Sequence, residues 1–213
     1  MGWLTGEQER CYIARELREW YPGATYHIMQ RGVRRKEIFA DQNDYYMFLS
    51  MLVKELERYQ CKLHAYCLMT NHYHLLLETS ESEVWKFMKN LAHNYAQYYN
   101  SANQFQGHLF EGRYKSCLVR DDAYFLQTSR YIHLNPAKAG MVAHPEDYPW
   151  SSYRTMIGLQ DDRITQIGRT HAYFGKNAVF RYRQFVEDIG HKYVVEENEI
   201  KRSMGEDDLW LPW

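Results

Sequence analysis

Proline and cysteine are scarce, five and four in 213 residues. Cys11, Cys61, Cys67 and Cys117 are scattered with no Cys-x-x-Cys pair, which excludes a zinc knot of that spacing and points to reduced, partly buried thiols rather than a disulfide framework. Long hydrophobic runs are missing too. No stretch approaches the ~20 apolar residues a bilayer span needs, and Met1-Gly2-Trp3-Leu4-Thr5-Gly6-Glu7 lacks the basic-then-apolar layout of a secretory leader. A cytoplasmic protein with no membrane contact is the expectation. A phosphate-binding glycine loop is also absent, so nothing in the chain marks an ATP-driven reaction.

Net charge is almost absent, 26 Lys and Arg against 27 Asp and Glu, but its distribution is uneven. Residues 187–213 hold eight acids against Lys192, Lys201 and Arg202, a balance of -5 that leaves residues 1–186 with +4. The basic groups concentrate at Arg31, Arg34, Arg35 and Lys36, and again at Arg113, Lys115 and Arg120, where Phe110 and Tyr114 are interleaved. Cations that follow phosphates beside rings that stack on unpaired bases suit a single nucleic-acid strand. The same residues also suit an ordinary solvated loop and strand edge.

The most informative stretch is Asn71-His72-Tyr73-His74, followed by Leu75-Leu76-Leu77-Glu78. On a strand, side chains alternate, so His72 and His74 share a face and can share an ion. Taken alone, with ten histidines in the chain, the pair fits two polar residues on a solvated strand face better than a metal site. Around it the periodicities alternate: a strand from Ala24 to Gln30, a helix from Asn43 or Asp44 to about Tyr59, and strands Lys62–Leu68 and His72–Glu78 joined by a turn at Thr70-Asn71. A helix capped by Ser82 and ending near Asn100, a strand over Arg113–Arg120, and a helix from Asp121-Asp122 to Pro136 complete the series. The order βαββαβ plus a helix predicts an α+β fold of ferredoxin-like, split-βαβ type, an antiparallel sheet with helices on one face and the other open. His72 and His74 then fall on a central strand. A C-terminal helical extension is expected around residues 170–190, where Ala178, Tyr182, Phe185, Val186 and Ile189 recur at helical spacing.

The helix ending at Pro136 presents Tyr131 and Asn135 four residues apart on one face. With Pro136 disfavouring helical geometry before it, Asn135 is expected at a frayed end, its amide oxygen turned toward an ion. Two neutral imidazoles and an amide, with no thiolate, match Mg2+ or Mn2+ better than structural zinc. Tyr131 also fits a core tyrosine with its hydroxyl at the rim.

Three blocks, Tyr26-His27-Ile28-Met29-Gln30-Arg31-Gly32, Met69-Thr70-Asn71-His72-Tyr73-His74-Leu75-Leu76 and Tyr131-Ile132-His133-Leu134-Asn135-Pro136-Ala137-Lys138-Ala139-Gly140, together resemble the IS200-like single-tyrosine (HUH) transposases, and more closely their REP-associated branch. The resemblance covers residues 22–153, through Tyr148-Pro149-Trp150-Ser151-Ser152-Tyr153, and divides the chain into an N-terminal segment 1–21, a catalytic domain 22–153, a helical extension 154–195 and an acidic tail 196–213. It implies that His72, His74 and Asn135 bind a divalent ion and that Tyr131 attacks a phosphodiester of single-stranded or hairpin DNA, forming a 5′-phosphotyrosine bond and releasing a 3′-hydroxyl. Tyr124, seven residues earlier, is a spare candidate nucleophile. DNA contacts are expected at Arg31, Arg34, Arg35, Lys36, Arg113 and Lys115, with the acidic tail docked over the basic groove. Monomer and helix-exchanging homodimer both remain open, as does a domesticated module that binds hairpins without cleaving. A small-molecule metallohydrolase is disfavoured because no Asp or Glu accompanies His72 and His74 at metallohydrolase spacing and the tyrosine helix would have no role in it.

Overall fold

In the computed structural model, which describes residues 19–188 and Ile200, four strands form one antiparallel sheet. They are β1 (Thr25–Arg31), β2 (Lys62–Leu68), β3 (His72–Glu78) and β4 (Lys115–Val119), in the order β2-β3-β1-β4. The ferredoxin-like order read from the sequence is therefore present, and β1 and β3 are its central strands. Their register sets Met29 opposite His74 and Arg31 opposite His72, while Met29 also pairs with Lys115 on β4.

Strand alternation sorts the core into two layers. Tyr26, Ile28, Leu63, Tyr66, Leu68, Tyr73, Leu75 and Leu77 face α1 (Gln42–Tyr59) and α2 (Val84–Ala102), where Phe48, Leu52, Phe87, Leu91 and Tyr95 complete the cluster. Asp41, rather than Asn43 or Asp44, caps α1, its carboxylate accepting the Asn43 and Asp44 amides. Glu83 holds the cap position of α2 in place of Ser82, with no side-chain hydrogen bond to the helix.

The opposite sheet face is not left open. After β4, Asp121 caps α3 (Asp122–Lys138) by accepting the Tyr124 amide, and α3 crosses that face through Phe125, Tyr131 and Ile132 against Ala65, Cys67, Leu76 and Val119. A bulge in β2 between Leu63 and Ala65 places His64 and Ala65 on this side together, with the His64 ring 5.2 Å from Phe125.

Pro136 does not stop α3. It stands inside the last turn, where its missing N–H forfeits a single bond. The stop is Gly140, at φ +67°, with the Met141 amide returning to the Pro136 carbonyl and the Gly140 amide to Ala137. Beyond it, residues 148–152 run along the outer edge of β2: the Leu68 amide donates to the Trp150 carbonyl at 2.8 Å and the Ser152 amide to the Tyr66 carbonyl at 3.1 Å. That segment covers an edge that would otherwise template association. The extension comprises α4 (Tyr153–Met156), α5 (Ile167–Phe174) and α6 (Ala178–Glu187), α5 and α6 being separated by positive φ at Gly175 and Asn177. None of the helices among the described residues is long and apolar enough to cross a membrane. The acidic tail expected over 196–213 lies outside the described residues except for Ile200, which is buried in the same cluster as Tyr131.

Candidate active site

Three imidazoles and a phenol meet between the central strands and α3. His27 and His74 are fully buried and His72 and Tyr131 nearly so. The Tyr131 ring stands edge-on to His74 at 5.7 Å and to His27 at 5.8 Å, and the His72 and His74 rings are 5.0 Å apart. His27 is a site residue that sequence reasoning missed. The signal was available: His27, Met29 and Arg31 alternate on β1 as His72 and His74 do on β3, but only the strand pairing brings the two sets onto one face.

Burial determines the protonation of these rings. Desolvation pulls His27 down to about 3 and His72 to about 3, the latter helped by the Arg31 guanidinium across the register; His74 falls well below the ordinary histidine value, from burial first and its two imidazole neighbours after. All three are neutral near pH 7, the form in which imidazole binds metal. The Asn71 amide nitrogen donates to the Arg35 carbonyl at 3.2 Å, so Asn71 Oδ1 faces His72 Nδ1, 2.6 Å away, and accepts its proton. The lone pair of His72 then sits on Nε2. His74 Nδ1 and His27 Nε2 share a 3.0 Å hydrogen bond, and His27 Nδ1 is buried without a partner among the described residues.

Asn135 lies one helical turn beyond Tyr131, half-buried and inside α3 rather than at a frayed end. Its amide nitrogen donates to the Tyr131 carbonyl at 3.4 Å. Four helical residues advance ~6 Å, close to the spacing from His74 to His72 along a strand. Gln127, one turn before Tyr131 on α3, has its Oε1 buried without a partner among the described residues. No hydrogen bond joins Asn135 to either histidine among the described residues. Tyr124 places its hydroxyl 3.5 Å from Cys117 Sγ, the β4 residue paired with His27.

The six basic candidates separate. Arg31 and Lys115 lie in the register rows of His72 and His74, on the imidazole face, with Arg31 paired to Glu111 at 2.6 Å. Arg34, Arg35 and Lys36 form an exposed turn with positive φ at Arg34 and Arg35; Lys36 rests over the Phe105 ring at 5.9 Å. Arg113 is exposed on the other side of the sheet, lining a groove of about 1090 Å³ with Trp85, Phe110 and Tyr114.

The family model described as "Transposase IS200 like" matches residues 21–135, more than half of the chain. A Haemophilus influenzae protein described as "Putative REP-associated tyrosine transposase" is 26% identical over 117 residues, which are 50% of this chain and 66% of that protein. The chain thus spans just under two thirds of that relative's length. A solved structure of a REP-associated tyrosine transposase bound to a REP hairpin superposes with a TM-score of 0.59 at 15% identity, covering 72% of this chain and 98% of that one. At that identity the likeness establishes the fold.

Proposed function

The chain belongs to the IS200-like transposase family, and from that membership and the site's geometry we propose that it cleaves and rejoins single-stranded DNA at hairpin-forming repeats through Tyr131. The observation that carries the reading is the Tyr131 ring held edge-on to His74 and His27 on the central strands. Tyr131 Oη attacks a backbone phosphorus; the P–O3′ bond breaks, a 5′-phosphotyrosine ester forms, and the released 3′-oxygen takes up a proton. The reverse attack by a 3′-hydroxyl on the ester rejoins strands, so bond energy is conserved and no nucleotide cofactor is consumed.

The donor set fits a divalent ion, Mg2+ or Mn2+. His72 offers Nε2, since its Nδ1–H is donated to Asn71 Oδ1. His74 offers Nε2 when its Nδ1–H is given to His27, and the Asn135 amide oxygen, one turn beyond Tyr131 on α3, would complete the set. Such an ion supplies charge for the scissile phosphate and its transition state. The chain's own part is orientation: His27 fixes the ring of His74, Asn71 that of His72, and burial keeps both rings neutral. Arg31 and Lys115, on the imidazole face, and the exposed turn Arg34, Arg35 and Lys36 would hold backbone phosphates at the site, while Arg113, behind the sheet, would contact DNA only beyond it. Hairpin DNA as substrate is supported by the REP hairpin bound to the structural relative.

The test is covalent trapping. Labelled single-stranded hairpin DNA with Mn2+ is expected to give a denaturation-resistant adduct that disappears in Tyr131→Phe. Hairpin binding with no adduct under any divalent metal would contradict the reading and favour a binding module.

A further inference from the structure

The back of α3 is held as tightly as its front. Ser129 Oγ and the Tyr182 hydroxyl of α6 are 2.6 Å apart, and that hydroxyl is 2.7 Å from His133 Nδ1. His133 Nε2 reaches Ser152 Oγ at 2.8 Å, and Ser152 Oγ accepts the Tyr66 amide of β2 at 2.9 Å. A neutral imidazole has one donor and one acceptor, so this buried chain is satisfied with its protons running in either direction. Beside it Arg130, almost fully buried, donates Nε to the Phe185 carbonyl at 2.8 Å and Nη2 to the Asp188 carbonyl at 2.5 Å. These carbonyls lie at the C-terminal end of α6, where helix oxygens lack intrahelical partners and the dipole is negative. Leu134, Tyr153, Met156, Ile157, Tyr182 and Val186 pack the remaining space.

The positions explain why this matters for Tyr131. Ser129 and His133 are four apart and lie one above the other on the helix; Tyr131, midway between them, is turned about 200° from each. Pinning the first two to α6 therefore aims the third at the sheet. We propose that α6 is a clamp that sets the rotation of α3 about its axis, with Arg130, His133 and Tyr182 as positioning residues for Tyr131. This rests on Tyr131 being the nucleophile. It assigns the extension a part in catalysis without contact to DNA, and it explains a histidine two residues past the tyrosine that faces away from the other imidazoles.

The test compares the full-length protein with Tyr182→Phe, which deletes the hydroxyl shared by Ser129 and His133 and keeps the ring. Small displacements of a reacting group cost roughly 10²-fold. Single-turnover adduct formation is expected to slow by about 10- to 100-fold, with hairpin affinity unchanged and faster amide exchange over residues 129–135 but not in β3. Met156→Ala, which removes packing from the same cluster and no side-chain hydrogen bond, serves as the stability control and is expected to keep the wild-type rate below its melting temperature. Wild-type adduct formation in Tyr182→Phe overturns the clamp, and so does equal slowing in both variants at equal loss of Tm. An adduct that survives Tyr131→Phe overturns the nucleophile assignment and this inference with it. An adduct lost in Tyr131→Phe but unaffected in Tyr182→Phe overturns this inference alone.

Discussion

Leu75 and His74 are chain neighbours on one central strand, both fully buried, and they face opposite layers. On Leu75's side, rings pack against rings: Phe48 lies 4.7 Å from Tyr73 and edge-on to Tyr95 at 5.0 Å, and the polar ends are tied off, with the Tyr73 hydroxyl donating to Gln30, Gln30 to the Gly112 carbonyl and Tyr95 to the Ile38 carbonyl. On His74's side three imidazoles are buried together and His27 Nδ1 has no partner among the described residues. Burying imidazole without a full set of hydrogen bonds costs stability. One layer accordingly stabilises the fold, and the other spends part of that stability to keep neutral ligands next to a phenol.

That contrast can be broken most sharply by removing an aromatic from the first layer. Phe48→Ala is expected to destabilise by about 3–5 kcal/mol in chemical denaturation, while His74→Ala, which deletes a comparably buried ring, is expected to cost less and to abolish adduct formation. Equal destabilisation by the two would remove the distinction. Next in size is His27→Phe, which fills the volume and cannot accept from His74 Nδ1. Loss of an outer-shell partner typically weakens metal binding by about 10- to 100-fold, and the Mn2+ concentration needed for half-maximal adduct formation is expected to rise accordingly, with hairpin affinity unaltered.

Acidification probes the buried imidazoles on both sides of α3 more gently. Burial depresses the folded values of His27 and His133 to about 3, against the 6.5 of an exposed histidine. The unfolded chain therefore binds these protons first. Their contribution is fully present above pH 6.5 and is lost as pH falls toward 3, by up to about 1.4 kcal/mol per pH unit for each ring. Tm measured from pH 7 to pH 5 is expected to fall, and His133→Gln to flatten the slope; a Tm independent of pH across that window would contradict the neutral assignment.

What was legible in the chain was whatever repeats locally. Period-two alternation put His72 and His74 on one face, and βαββαβ order made β1 and β3 central. His27 was hidden because its partner lies 47 residues away, and only strand register joins them. The stop of α3 was misread because Pro136 is a strong local breaker, yet a proline in a final turn costs one hydrogen bond and Gly140 supplies the actual cap. The helical extension around residues 170–190 was legible from apolar spacing, but its division into α5 and α6 was not, because the break depends on positive φ at Gly175 and Asn177. The basic residues could be counted but not sorted: Arg31 and Lys115 share the imidazole face, whereas Arg113 lies behind the sheet.

The identity of the nucleophile can be settled directly by mass spectrometry of the trypsin-digested adduct. Cleavage after Arg120, Arg130 and Lys138 separates Tyr124 and Tyr131 into adjacent peptides, 121–130 and 131–138. The nucleotide mass is expected on the peptide beginning at Tyr131 and none on its neighbour. A nucleotide on Tyr124, whose hydroxyl packs against Cys117, would contradict the assignment.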